Sequence, residues 1–139
     1  MISLVYISST VGLLRRDELL SILEKSRENN AKHQVTGLLA YLDGNVMQVL
    51  EGPEAGVMEI FHKIEKDTRH RNVTVLLTAE IDERHFPDWR MAFVDLNDEK
   101  FIENPAFSAF LNEPFTSEKY KNSPSFAMAM LVSFKESLT

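Results

Sequence analysis

The chain has 139 residues, of which 44% are hydrophobic, and it carries a formal net charge of −6. We expect one globular domain, because this length buries roughly two-thirds of the surface that the unfolded chain exposes and leaves no room for a second, catalytic domain. The acidic charge argues against a nucleic-acid partner, and the absence of cysteine excludes disulfides, thiolate zinc sites and a cysteine nucleophile.

The first two predicted elements are a strand and a helix. Residues 2–8 are rich in β-branched and aromatic side chains, and apolar residues occur at both odd-numbered and even-numbered positions. This pattern indicates a central strand covered on both faces. Helical spacing follows over residues 15–30, with Leu19, Ser26 and Asn30 along one stripe. Asn30 lies within roughly 20° of Leu19 on this stripe, so its amide faces whatever the leucine covers.

A β-hairpin and a second helix are predicted next. Residues 35–42 and 45–51 are expected to pair, because the Asp-Gly dipeptide between them readily takes the positive φ values of a tight turn. Helical spacing then runs over residues 54–67, and Asp67 falls on the apolar stripe of this helix.

Two further strands, over residues 73–81 and 89–96, complete the predicted core. The order β-α-β-β-α-β-β is typical of a ferredoxin-like α+β sandwich, in which the first and third strands are neighbours and both helices pack on one face. We expect this core to span residues 1–97. The strands are also apolar on the face of the sheet that the two helices do not cover. We therefore expect residues 98–139 to form C-terminal helices that cap this face.

Familiar catalytic, metal-binding and membrane motifs are absent from the sequence. There is no Gly-rich dinucleotide fingerprint, P-loop, zinc-protease motif or nucleophile elbow. Solvated or capping roles are favoured for the four histidines, which lack metal-ligand spacing, namely His33, His62, His70 and His85. No apolar run approaches the ~20 residues of a membrane span, and no signal peptide is recognisable, so we expect a cytoplasmic protein without a membrane partner.

Three polar side chains fall on predicted faces that should be apolar. Gln48 lies in a central strand next to the strand of Tyr6, and Asn30 and Asp67 share helix stripes with leucine and isoleucine. An unpartnered buried amide or carboxylate costs ~1 to 3 kcal/mol. Three that converge therefore indicate a common partner, such as a flat heterocycle with its own donors and acceptors.

Structural roles remain open at each of these positions when it is taken alone. Asn30 suits a left-handed C-cap of its helix, and Asp67 suits a surface ion pair with Arg69 or a nearby lysine. Tyr6 suits an ordinary place in the core. Gln48 is the hardest to explain without a partner, because glutamine is disfavoured in a central strand.

The sequence resembles the BLUF family of blue-light sensors over nearly all of residues 2–96. Five segments match in order and spacing, namely LVYISS, DELLSILEKSRENN, VTGLLAYLDGNVMQVLEGP, IEKDTRHRNV and ERHFPDWRMAF. The resemblance implies a photoreceptor that is not an enzyme, binds FAD non-covalently and signals to a downstream protein effector. The lack of cysteine excludes photochemistry through a flavin–cysteinyl adduct.

The resemblance also implies roles for individual residues. Tyr6 would donate an electron to photoexcited FAD, Gln48 would hydrogen-bond to the tyrosine hydroxyl and to the flavin, and Asn30 would hold the carbonyl edge of the flavin ring. The further flavin contacts would be Asp67, Arg69 and His70, and the signal-transmitting pair would be Trp89 and Met91. Trp89 and Met91 are two residues apart and so face one side of their strand, where a role in the core is the alternative.

Ile7 departs from the family, in which Arg is common after the tyrosine. Because consecutive strand residues face opposite sides, Ile7 points away from Tyr6, and we expect little effect on photochemistry. The contact between the sheet and the C-terminal helices is where a difference is expected. Apolar residues in 97–139 also make a homo-oligomer reasonable.

Two other classes of function are considered. The first is a ferredoxin-like hydrolase or flavin oxidoreductase that uses Asn30 and Arg27, although the sequence has no identifiable nucleophile or nicotinamide site. The second is a cofactor-free binding module such as an RNA-binding sheet, which the acidic charge opposes. A visible absorption spectrum separates both from a flavin photoreceptor.

Overall fold

The computed structural model describes residues 1–10, 12, 15–42, 44–87, 92–95 and 129. In chain order its elements are β1 (Ile2–Thr10), α1 (Arg16–Lys32), β2 (Thr36–Leu42), β3 (Asn45–Gly52), α2 (Glu54–Lys66), β4 (His70–Glu80) and β5 (Ala92–Asp95). This is the predicted order of strands and helices. The helices predicted to cap the sheet, over residues 98–139, lie outside the described residues apart from Ala129.

The strands form one sheet in the order β4-β1-β3-β2-β5. Three of the pairings, β1 with β3, β1 with β4 and β2 with β3, are antiparallel, and β5 runs parallel to β2. The prediction of a ferredoxin-like sandwich with its first and third strands side by side is confirmed. In the register of β1 and β3, Tyr6 lies directly opposite Gln48.

Both faces of the central strands are buried, as the sequence of β1 predicted. The helices cover the face that carries Tyr6, Leu4 and Leu50, which belong to one apolar cluster with residues of α1 and α2. Side chains of the intervening positions point the other way because strand side chains alternate. They are also fully or almost fully buried, and include Val5, Ile7, Leu38, Ala40, Met47 and Val49.

The first helix, α1, begins and ends with recognisable local signals. The backbone N–H of Arg15 donates to Glu18 Oε1 at 3.2 Å, which satisfies one of the donors that a helix start leaves without an intrahelical partner. Leu19 and Leu23 are buried against the sheet. At the other end the N–H of His33 donates to carbonyls of the last turn, which closes the helix.

The second helix, α2, begins directly after Pro53. Its early Glu54 complements the positive end of the helix dipole, and the Val57 N–H donates to the Pro53 carbonyl at 3.0 Å. Val57, Ile60 and Phe61 are buried, which fixes the face that α2 turns to the sheet. Both helices therefore lie on the side of the sheet that carries Tyr6.

The ends of several elements differ from the prediction, and three of these differences bear on the site. Helix α1 continues to Lys32, so Asn30 lies inside the helix, and the left-handed C-cap considered for it is not formed. Asp67 is the C-cap of α2 rather than its last residue. Strand β4 begins at His70, three residues earlier than predicted, because polar residues there pair with the end of β1 across an irregular register.

Candidate functional site

A cleft lies between α1 and α2 above the centre of the sheet. It contains two adjoining cavities of about 210 and about 100 Å³. The residues that line both are Ile22, Ser26, Gln48, Ile64, Asp67 and Arg69. The cleft thus combines apolar walls from the helices with polar groups at its floor and at one end, as small-molecule sites usually do.

Tyr6 and Gln48 form the floor of the cleft. Both side chains are buried, with exposed fractions of 2% and 3%. The Tyr6 hydroxyl donates a hydrogen bond to Gln48 Oε1 across the two strands. The Tyr6 ring also contacts Phe61 of α2, with ring centroids 5.6 Å apart and planes inclined by 57°. The phenol is therefore fixed at its ring and at its hydroxyl.

The surroundings of Tyr6 keep its hydroxyl protonated. Burial raises the pKa of Tyr6 well above its ordinary value, because the interior disfavours the phenolate, and the negative charge of Asp67 adds to the rise. The phenol consequently remains a hydrogen-bond donor across the physiological range.

Asn30 lies on α1 at the edge of the wider cavity. Its side chain is almost fully buried, with 1% exposed, although it sits only two residues before the helix ends. Its backbone carbonyl accepts hydrogen bonds from the N–H groups of His33 and Val35, at 3.2 and 2.9 Å. These bonds hold the last turn of α1, and with it the Asn30 side chain, in place beside the cleft.

Asp67 and Arg69 form an ion pair at one end of the cleft. The Arg69 backbone N–H donates to Asp67 Oδ1 at 2.9 Å, and the guanidinium Nε lies 2.9 and 3.0 Å from the two carboxylate oxygens. The Arg69 hydrogen bond is the main reason why the pKa of Asp67 falls to about 2. The ion pair considered from the sequence is present, and it does not remove either residue from the cleft, since both line its two cavities.

His70 joins three elements at the inner end of the narrower cavity. Its Nε2 bonds to the Ile64 carbonyl of α2, and its Nδ1 lies 3.0 Å from Ser8 Oγ of β1. Because a carbonyl only accepts, Nε2 carries the proton, and in the neutral ring Nδ1 accepts from the Ser8 hydroxyl. His70 thus caps the end of α2, the type of role favoured for the histidines.

The model of a protein family, sensors of blue light using FAD (BLUF), matches residues 1–92. The chain belongs to the BLUF family. This finding confirms the resemblance noted in the sequence. Members of the family are sensors, and their description names FAD as the chromophore.

Relatives of this BLUF domain include light-regulated cyclases and short photoreceptors. The alpha subunit of photoactivated adenylate cyclase from Euglena gracilis is 38% identical over 84 residues, which are 60% of this chain and 8% of that protein. The structure of a bacterial light-regulated adenylyl cyclase has a TM-score of 0.74 and 37% identity, and the match covers 79% of this chain and 33% of that one. BlsA in its photo-activated state has a TM-score of 0.67 and 31% identity, with 94% of each chain covered.

The chain spans about a tenth of the length of the curated Euglena relatives. The adenylate cyclase activity in their names therefore belongs to proteins that are much longer than this BLUF domain. In the described part of the chain, no helix is long and apolar enough to cross a membrane. The described residues also contain no cluster of three or more His, Asp or Glu side chains that could hold a metal ion.

The structure gathers the BLUF residues singled out in the sequence around one cleft. They are Tyr6, Asn30, Gln48, Asp67, Arg69 and His70. Trp89 and Met91 lie outside the described residues. Arg27, considered with Asn30 for an enzyme, is exposed.

Several residues that line the cleft were not found by sequence analysis. Ile22 of α1 and Ile64 of α2 line both cavities, and Lys25 and Asn29 line the wider one. A signal for the α1 residues exists in the sequence. Ile22, Ser26 and Asn30 follow one another at intervals of four, the spacing that stacks side chains along one side of a helix.

Proposed function

We propose that this BLUF domain is a non-enzymatic blue-light photoreceptor that binds FAD non-covalently between α1 and α2. The observation that carries the proposal is the buried hydrogen bond from Tyr6 to Gln48 at the floor of the cleft. A phenol that can give up an electron and a proton lies against an amide that can both donate and accept. The family match supports FAD as the chromophore.

The residues of the cleft fit the chemistry of FAD. Gln48 and Asn30 supply amide donors and acceptors for the polar edge of the ring, and the aliphatic side chains of Ile22 and Ile64 supply apolar surface for its faces. Cationic side chains line the wider cavity and suit the diphosphate of the cofactor. They are Lys25, Lys63 and Arg69.

The switch is a rearrangement of hydrogen bonds around Gln48. FAD, when bound, supplies the absorption of blue light and an acceptor for one electron. Tyr6 would give up that electron, and its hydroxyl proton would pass along the existing hydrogen bond to Gln48 Oε1. Gln48 then flips or tautomerises, which exchanges its donor and acceptor sides, and the return of the electron and proton to Tyr6 restores the dark arrangement without breaking a bond of the cofactor.

The signal of this switch passes to a downstream protein effector. Trp89 and Met91 are the proposed transmitting pair, on the family resemblance. The light-regulated cyclases among the relatives support a protein effector, since the BLUF-like part makes up only a small share of those proteins. The homo-oligomer, the cytoplasmic location and the boundary of the core at residue 97 stay predictions.

Replacing Tyr6 by Phe tests the proposed electron donor. The wild-type protein, purified from flavin-replete cells, should be yellow and show a small, reversible red shift under blue light. Tyr6→Phe should still bind flavin and lose the shift, because it keeps the ring packed on Phe61 but has no hydroxyl to donate to Gln48. The measurement is the visible absorption spectrum before and after illumination.

Tyr41→Phe is the matched control for this test. Tyr41 is also buried beneath the helices, with 4% exposed, but it is not among the residues that line the two cavities. It should keep the wild-type red shift. A colourless wild-type protein would contradict flavin binding, and a normal shift in Tyr6→Phe would show that another group donates the electron.

A further inference from the structure

A buried carboxylate lies on the far side of the strand that carries Gln48. Glu51 is three residues after Gln48 on β3, and its exposed fraction is 0%. Strand side chains alternate, so Glu51 points away from the cleft, on the same face as Met47 and Val49, which are also fully buried. An ionised carboxylate in such surroundings is unfavourable unless hydrogen bonds compensate its lost hydration.

Among the described residues, the donors that compensate Glu51 lie in the connection between β4 and β5. The backbone N–H groups of His85 and Phe86 donate to Glu51 Oε1, at 2.7 and 2.9 Å. The His85 ring Nδ1 lies 2.7 Å from Glu51 Oε2, and because the carboxylate accepts, this nitrogen carries the proton. Phe86 itself is fully buried, with 0% exposed.

Arg84 binds the backbone around Glu51 from the same connection. One guanidinium nitrogen donates to the Glu51 carbonyl at 2.8 Å and to Thr36 Oγ1 of β2 at 2.9 Å. The other terminal nitrogen donates to the Gln34 carbonyl, just before β2, at 2.7 Å. Three consecutive residues, 84–86, are thereby tied to β2 and β3. We call Glu51 with Arg84, His85 and Phe86 the Glu51 clamp.

The Glu51 clamp stands where the chain approaches β5. Its loop residues end six positions before Ala92, where β5 begins, and β5 pairs in parallel with β2 at Leu38 to Tyr41. Hydrogen bonds to an ionised carboxylate are short and strong. Residues 85 and 86 therefore follow a displacement of Glu51 more closely than they would if neutral contacts held them. A shift or twist of β3 that accompanied the switch at Gln48 would therefore be carried to the loop that leads into β5.

We propose that Glu51 is a positioning residue that couples the hydrogen-bond switch at Gln48 to β5 through this clamp. The inference rests on the proposed function, because it concerns how the light-driven change leaves the cleft. In this proposal Glu51 contacts neither the flavin nor Tyr6. It passes an event on the helix side of β3 to β5, the strand next to β2, through contacts on the other face of the sheet.

Glu51→Gln tests the coupling, with Glu83→Gln as the matched control. Glutamine keeps the shape of Glu51 but removes its charge and replaces one acceptor oxygen by an NH₂ group, so the clamp bonds lose their charge assistance and the His85 ring must change tautomer to keep its bond. Glu83 lies in the same connection and is exposed, so its replacement makes the same change of charge outside the clamp. The readouts are the flavin red shift and hydrogen–deuterium exchange of the amides at 92–95 in darkness and in light.

The expected result separates photochemistry from its transmission. Wild type and Glu83→Gln should show the red shift together with a light-minus-dark difference in exchange at 92–95. Glu51→Gln should keep the red shift and lose most of that difference. If Glu51→Gln does not fold with flavin bound, Arg84→Lys takes its place, because lysine keeps the charge and cannot bridge the three acceptors of the guanidinium.

Two outcomes overturn the inference, and they are distinguishable from a failure of the proposed function. A full wild-type exchange difference in Glu51→Gln would show that the switch reaches β5 without the clamp. Faster exchange in both darkness and light with the difference intact would show that Glu51 only stabilises the loop. A wild-type protein without any red shift would instead overturn the proposed function, and the inference with it, before the variants are compared.

Discussion

The pKa values of two ionisable residues of the cleft are shifted in opposite directions by their surroundings. Burial raises the pKa of Tyr6, and the nearby carboxylate raises it further. Hydrogen bonding to Arg69 lowers the pKa of Asp67 to about 2, which keeps that carboxylate ionised. The same interaction raises the pKa of Arg69. In the dark the site therefore holds a neutral phenol beside a closed ion pair.

The Asp67–Arg69 pair gives a prediction for the dependence of stability on pH. The pKa of Asp67 is lowered to about 2 from an ordinary 3.8, so the pair contributes stability above pH ~4, and this contribution is lost as the pH falls to ~2. Asp67→Asn should therefore be less stable than wild type at pH ~6, by about 1 kcal/mol or less because the pair is partly exposed. The difference should shrink to a small fraction near pH ~2, as the carboxylate becomes protonated in the folded state.

The measurement is the free energy of unfolding in urea at both pH values. Asp82→Asn, which changes an exposed carboxylate in the connection after β4, is the control for the loss of one negative charge. A difference between Asp67→Asn and wild type that stays the same at pH ~6 and pH ~2 would contradict the role assigned to the pair.

At the scale of the elements, a glycine sets how closely the two helices approach. Gly56 of α2 lies against the end of α1, and a Cβ atom on it would be 2.5 Å from the His33 carbonyl oxygen and 3.2 Å from the His33 Cβ. The first of these distances is shorter than any ordinary contact, so a side chain there must push the helices apart. The two helices form the walls of the cleft, and their spacing thus depends on one missing methyl group.

Exchanging alanine and glycine at neighbouring positions of α2 tests this spacing. Glycine costs about 0.5 to 1 kcal/mol relative to alanine inside a helix, so propensity alone predicts that Gly56→Ala stabilises the protein. We expect it to destabilise the protein by about 1 to 3 kcal/mol, the usual cost of overpacking. The readout is the free energy of unfolding by chemical denaturation.

Ala55→Gly is the control for this exchange. Ala55 is an exposed neighbour in the same turn of α2, so only helix propensity acts on it. It should lose about 0.5 to 1 kcal/mol. The expected result is a preference for alanine at position 55 and for glycine at position 56. If Gly56→Ala were instead more stable than wild type, the helices would accommodate the added methyl group beside His33 without a loss of stability.

The sequence predicted the order of the elements, because apolar spacing and turn residues are local signals. It predicted their ends less well. The polar start of β4 at His70 has no strand-like alternation and is held by pairing with β1, which is distant in sequence. Asparagine is a residue type that often ends a helix, yet α1 continues past Asn30 to Lys32.

Side-chain roles were predictable where the residue itself is anomalous. Gln48 stood out because an amide in a central strand needs a partner, and the structure shows its bond with Tyr6. Glu51 was missed although a carboxylate on an apolar strand face is equally anomalous. Its partners lie 34 and 35 residues further on, in a connection whose sequence shows no sign of that contact. For Asp67 the sequence allowed either a contact with a bound ligand or an ion pair with Arg69, and composition could not choose between them. In the structure Asp67 pairs with Arg69 and also lines the cleft.

At the scale of the whole molecule, the site lies at the middle of the sheet and its charge opposes that of the protein. Tyr6 and Gln48 belong to β1 and β3, which are flanked in the described sheet by β4 and β2. The chain has a net charge of −6, yet the wider cavity is lined by Lys25, Lys63 and Arg69 and by one carboxylate, Asp67, so its charged side chains leave an excess of positive charge. An anionic ligand is therefore attracted to the cleft more than to the rest of the surface.

A ligand held in this cleft should stabilise the whole fold. Adding FAD at about 100 times its dissociation constant to flavin-depleted protein should raise the free energy of unfolding by about 2.7 kcal/mol, if it binds only the folded state. The measurement is chemical unfolding with and without added FAD, followed by far-UV circular dichroism.

NAD is the control ligand for this measurement. It shares the adenosine and the diphosphate of FAD but has no flat tricyclic ring for Gln48 and Asn30 to recognise. At equal concentration it should stabilise the protein much less. Equal stabilisation by both ligands would show that the cleft recognises a dinucleotide in general, and no stabilisation by FAD would place the chromophore elsewhere.

The direct pairing of Tyr6 with Gln48 has a consequence for how the site is assembled. The two residues are 42 positions apart, and the backbone ladder between β1 and β3 sets their separation. The entropy of ordering the phenol and the amide is therefore lost when the sheet folds, so an arriving chromophore meets groups that are already immobilised. The same ladder makes the pair independent of the lengths of the connections between the two strands, which can diverge while the geometry of the site is inherited unchanged.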